Sequence, residues 1–276
     1  MAKKKKVDTR HLMHAVCPIS VIAVRLKPDD LQSMVTQMLF GETCVILEKK
    51  NKHWCKVQTH HCQVTGWVRA IQLDLIDEKT YNKLNHHPAV ALDICNPVMS
   101  EDISMSVLLG STLPCFDGIS CQMPDRTFVY NGQAAIYGDL HFSHDLLVKL
   151  ARRYLHSPEL AGGRSPFGID APALVQQVFR FFTISLPRYA HEQFLYGEAV
   201  DFVELAREGD VVFCHDEDGK INHTGIVVGE KRILHVYGQV RIDKFDHHGI
   251  YHTSLQKYTH KLRMIKRLAL PVLSPS

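Results

Sequence analysis

The sequence predicts a multidomain chain, with two small all-β barrels at residues 1–77 and 78–141 followed by an α+β domain at 142–276. Three observations carry this reading. Short β-like runs separated by polar or glycine turns fill the first half. Apolar residues at helical spacing begin only after residue 142. Three β-branched segments with tight turns then follow at 209–238, giving helices first and sheet second. A length of 276 residues with 45% hydrophobic and 22% charged content suits two or three globular domains.

From the N-terminus, Lys3 to Lys6 form a run expected to be a solvated tail. No further basic cluster with interleaved aromatics follows it, so no nucleic-acid partner is expected. The apolar stretch "AVCPISVIAV", 15–24, holds a proline and a serine. Polar "DTRHLMH" separates it from the lysines, and "RLKP" follows where a small-residue cleavage site would stand. A buried strand fits it better than a signal peptide. No apolar run approaches the roughly 18–20 residues of a transmembrane segment, and none is expected.

The first barrel is read from "ISVIAVRL", "TCVILEK", "HWCKVQT" and "VTGWVRAIQL", with Trp54 and Trp67 expected in its core rather than on its binding rim. The polar "DEKTYNKLNHHP" is read as a linker. The second barrel rests on "PAVALDI", "VLLGSTLPCF" and "RTFVYNGQAAIYG". Eight scattered cysteines with no C-x-x-C pair read as reduced thiols, which favours the cytoplasm over the periplasm. The paired histidines among the total of eighteen lie in polar stretches, so neither a structural zinc nor another cofactor is expected.

In the last region Ser143 caps a helix whose Leu147, Leu150, Ala151, Tyr154 and Leu155 form an apolar stripe. Asp170 caps the next, with Pro172 in its opening turn and Val175, Val178, Phe179 and Phe182 at helical spacing. A short polar helix follows "LPR", and "GDVVFCHDEDGKINHTGIVVGEKRILHVYG" reads as a three-stranded antiparallel meander.

The opening of that second helix suits a nucleophile. A cysteine there would have its pKa lowered by the helix dipole and a nearby imidazolium. His223 and His235, on neighbouring strands, could lie side by side facing the helix end as base and orienter, or each could be satisfied within the sheet. Yet the helix opens with Ala171, Pro172 and Ala173.

The stretch "YLHSPELAGGRSPFGIDAPALVQQVF", followed by "LPRYAHEQFLYG", "REGDVVF" and "NHTGIVVG", resembles the NlpC/p60 family of papain-like cell-wall cysteine peptidases. Upstream, "VIAVRLKPDDLQSMVTQMLFGE" with "GWV", and "LLGSTLPCFDG", resemble the two bacterial SH3 domains of one subgroup. The resemblance implies two SH3-like barrels before a papain-like domain, and an ancestral hydrolysis of γ-D-glutamyl-diamino-acid bonds. It places the family's cysteine on Ala171, its histidine on His223 and its third polar residue on His235. Pro172, Ala173, Glu159 and Ala161 replace the family's serine, glycine, tyrosine and tryptophan, and Thr65 replaces a glutamate that holds the substrate amine.

The expectation is therefore a catalytically inactive homologue. It would act as a binding or interaction module for muropeptides or other small peptides, with Asp170, Glu159, Thr65 and Pro172 as ligand contacts. Two alternatives are a hydrolase using another nucleophile such as Cys214, and a metal site formed by Glu159, His223 and His235. The sequence names no protein partner.

Overall fold

The computed structural model describes residues 13–268, so the lysine run at 3–6 lies outside the described residues. Seven strands make the first sheet: β1 (Met13–Val16), β2 (Val21–Arg25), β3 (Met34–Leu39), β4 (Thr43–Lys50), β5 (Trp54–Thr59), β6 (Thr65–Arg69) and β7 (Asp74–Ile76). Their order is β3-β2-β6-β5-β4-β1-β7, and every neighbouring pair is antiparallel. The stretch expected as one buried strand at 15–24 is divided between β1 and β2, because Pro18 has no N–H to give a ladder. Ala15, Ile22, Val24, Met38, Ile46, Val57 and Val68 fill the core. Trp54 is buried with the Arg69 guanidinium over its ring, whereas Trp67 is only half-buried.

The expected linker contains a helix, α1 (Glu78–Asn85). Asp77 caps it by accepting from Thr80 N, and Leu84 is its buried residue. Polar composition hid this helix, since one apolar side chain makes no stripe. Next come β8 (Ala89–Ala91), β9 (Cys95–Met99), β10 (Ser104–Leu108), β11 (Thr112–Leu113), β12 (Ser120–Gln122), β13 (Thr127–Tyr130) and β14 (Ala134–Ile136). They form a four-stranded sheet, β10-β9-β13-β12, and a three-stranded one, β11-β8-β14. Their core of Val98, Leu113, Phe128 and Tyr130 also takes in Val16 of β1 and Phe40, the residue after β3.

The C-terminal region has α2 (His144–Arg152), β15 (Arg164–Ser165), β16 (Gly168–Ile169), α3 (Ala171–Arg180), α4 (Ala190–Gln193), β17 (Glu198–Val200), β18 (Val211–His215), β19 (Ile221–Gly229), β20 (Arg232–Tyr237), β21 (Gln239–Asp246), β22 (Gly249–His252) and β23 (Lys257–Arg267). The meander at 209–238 supplies three of the seven strands of a larger sheet ordered β17-β23-β18-β19-β20-β21-β22. Pairing of β22 with β23 closes six of these strands into a ring.

Alternation then sorts the side chains. Phe213, Ile226, Val228, Leu234 and Val236 pack with α2 and α3. Val212, Cys214, Val227, Ile233, Phe245 and Ile250 form a separate cluster on the other face, inside the ring.

Candidate functional site

Asp170 stands at the end of β16 in extended conformation and caps α3. Its Oδ1 accepts from Ala173 N at 3.0 Å and Arg188 Nη1 at 2.9 Å. Its Oδ2 accepts from Gly162 N at 2.9 Å and Arg188 Nη2 at 2.6 Å. The chain entering α3 is tied to the sheet's end, where Glu159 N donates to Gly238 O at 3.0 Å and Leu160 N to Ile169 O at 3.1 Å. At the first residue of the helix, Ala171 is buried. Pro172 contributes no N–H, and the Ala173 N–H is already taken by Asp170. The helix terminus is therefore poor in free donors for an anion.

The charged core of the site lies on β19, β20 and β21. Gly225 pairs with His235, and His235 with Arg241. His223 Nε2 is 3.0 Å from His235 Nδ1, His235 Nε2 is 3.0 Å from Asp243 Oδ2, and Arg241 grips Asp243 at 2.7 and 3.0 Å. Burial works against the Asp243 carboxylate. The hydrogen bonds from His235 and Arg241 outweigh it and bring its pKa down to about 2.

An ionised Asp243 accepts only, so His235 Nε2 carries the proton and His235 Nδ1 is an acceptor. His223 Nε2 must then donate, which leaves the lone pair on His223 Nδ1. That atom has no hydrogen-bond partner among the described residues. Burial, with the neighbouring His260 and His235, holds His223 well below the usual histidine range, and burial also lowers His235. Both rings are neutral at neutral pH. A weak, oriented base is what this relay provides.

The structure brings His223 and His235 together as the sequence predicts, but by alternation they share the face of Cys214 and Val227, away from the apolar face that packs on α3. It also corrects one expectation, the grouping of Glu159 with the two histidines. Asp170 makes two hydrogen bonds at each carboxylate oxygen in holding the helix entry. Glu159 does not join the histidines, because its Oε2 accepts from Gly238 N at 2.6 Å, and it is absent from the cluster they form. Thr65 stands exposed at the start of β6 opposite Gln58, in the first sheet. Pro172 stays at the helix entry, its carbonyl accepting from Gln193 Nε2 at 2.9 Å. Sequence reasoning missed Asp243, Arg241 and His260. The first two share the ring-facing alternation of Phe245 in "RIDKF", a signal available only once β21 is recognised as a strand.

Comparison with known proteins supplies the context. Residues 158–262 match the NlpC/P60 family, and residues 24–73 match the bacterial dipeptidyl-peptidase SH3 domain. The γ-D-glutamyl-L-lysine dipeptidyl-peptidase of Bacillus cereus is 26% identical, the match covering 72% of this chain and 66% of that protein. The protein of the same name from Bacillus subtilis is 27% identical, over 72% and 71%. The chain thus spans about two thirds of the length of these relatives. Among solved structures, an NlpC/P60 family protein from Bacillus cereus superposes with a TM-score of 0.79 at 20% identity, covering 92% of this chain and 99% of that one. An NlpC/P60 endopeptidase from Photobacterium damselae subsp. piscicida gives 0.70 at 14% identity, over 94% and 72%. Both show the shared fold.

Proposed function

Starting from the premise that the C-terminal domain of this chain belongs to the NlpC/P60 family of peptidases, we propose that the chain is a catalytically inactive member that binds cell-wall peptide fragments. One observation carries the reading: the relay Arg241–Asp243–His235–His223 ends on a free lone pair at His223 Nδ1, while α3 opens on Ala171. A methyl group at the head of the helix has no proton to lose and cannot attack a carbonyl, whatever base the protein holds. Loss of a nucleophile of this kind removes several powers of ten in rate.

Cys214 is no substitute. It is fully buried on β18, and burial pushes its thiol up to about 12, so the reactive thiolate is scarce at neutral pH. The β unit from β8 to β14 is read as a second SH3-like barrel. The eight free thiols agree with a cytoplasmic protein meeting fragments rather than intact wall.

Calorimetry with L-Ala-γ-D-Glu-diaminopimelate tests the binding role. Saturable heat without product is the expected result; no heat at millimolar peptide defeats the muropeptide reading.

A further inference from the structure

Beside the two relay histidines stands a third, His260 on β23. Its ring lies on that of His223, with centroids 3.8 Å apart and planes 19° from parallel. His223, His235 and His260 each offer a ring nitrogen, all within 4.8 Å of one another. We propose that these three imidazoles, on β19, β20 and β23 of the strand ring, form a site for a divalent transition ion of the zinc class.

The hydrogen-bond network presets two of the three lone pairs. His235 Nδ1 is an acceptor because its Nε2–H belongs to Asp243. Thr259 Oγ1 donates to Ile250 O at 3.3 Å, so it accepts from His260 Nδ1 at 2.9 Å, which leaves the lone pair on His260 Nε2. The third arises by a tautomer shift. His223 moves its proton from Nε2 to the unpartnered Nδ1, and its Nε2 lone pair then faces that of His235. All three rings stay neutral and the proton count is unchanged.

Other features suit an ion. Burial and the neighbouring histidines hold His223 and His260 below the usual histidine range, so no proton competes at neutral pH. Asp243 behind His235 is the carboxylate–histidine pairing that orients metal ligands, with Arg241 fixing the carboxylate in turn. The 3.0 Å between His223 Nε2 and His235 Nδ1 is a few tenths short of the ~3.3 Å separating two nitrogens on a tetrahedral zinc. The near-parallel His260 ring has to turn so that its lone pair enters the same sphere. His260 is half-buried and hydrogen-bonded only to Thr259 among the described residues, so it is the ring with freedom to do so. Three protein ligands leave a fourth position for water or a carboxylate.

The site is tested on the full chain, tag-free and stripped with chelator, by zinc calorimetry and by visible absorption after cobalt addition. One equivalent of zinc bound at micromolar affinity or tighter is expected, together with the intense absorption of four-coordinate cobalt. His260→Gln and Asp243→Asn are each expected to weaken zinc by at least about tenfold, while Glu159→Gln leaves it unchanged. Zinc affinity unaltered in His260→Gln, or only the faint spectrum of six-coordinate cobalt in the wild type, overturns the proposal. The cobalt result holds even if a variant fails to fold.

Discussion

Glu42 and Arg164, 122 residues apart in the chain, meet in a fully buried fork. Arg164 Nη1 donates to Oε2 at 2.9 Å and Nη2 to Oε1 at 3.0 Å. Arg180, the last residue of α3, adds a third bond to Oε1 at 2.6 Å. Glu42 follows β3 in the first sheet, so the pairing fastens that sheet to both the approach and the far end of α3. Burial alone would push the Glu42 carboxyl up, but the two guanidinium groups and the Leu39 N–H hold it below its ordinary value.

Removing that carboxylate strands two buried cations. Glu42→Ala is expected to cost about 3–5 kcal/mol in urea unfolding. Because the folded carboxyl is depressed, its contribution is present above the ordinary carboxylate range and disappears as pH falls through the folded value. The acid loss is expected to be smaller in Glu42→Gln.

Asp170→Ala removes the α3 cap and leaves Arg188, almost wholly buried, without its partner. A loss of about 2–4 kcal/mol is expected. Asp170→Asn should recover the part due to capping and not the part due to charge, which a thermal melt of both variants resolves.

The three clustered histidines titrate below their unfolded value of 6.5, with His260 lowered to about 4 by burial and by His235. Unfolded chain therefore takes up protons that folded chain refuses. Stability is expected to be full above 6.5 and to fall as pH drops toward 4. In His260→Gln the urea midpoint should fall less over this window, and an equal fall would contradict the burial of that imidazole.

Thiol labelling of the native protein should reach exposed Cys95 and spare Cys17, Cys44 and Cys214, all fully buried. Mass spectrometry of the modified peptides reads this directly. Rapid native labelling of Cys214 would reopen its candidacy as a nucleophile.

Local chemistry made α3 legible in the sequence: a capping Asp170, a proline in the first turn and a regular apolar stripe. The meander was legible through its turns. Ring closure was not, because β23 pairs with β18 some fifty residues earlier, and no local pattern announces such a partner. For the same reason the sequence yields His223 and His235 from a motif but not His260, whose part in the site exists only after closure, while Asp243 comes into view once β21 is recognised as the strand beside β20. Glu159 is grouped with the histidines on sequence because a carboxylate near a site looks alike there whether it meets a ligand or the backbone.

The most direct test incubates rigorously purified protein with L-Ala-γ-D-Glu-diaminopimelate and measures release of the diamino acid. The account predicts none above the buffer rate, with His223→Ala indistinguishable from the parent chain. Turnover that co-purifies with the protein and vanishes in His223→Ala would contradict it.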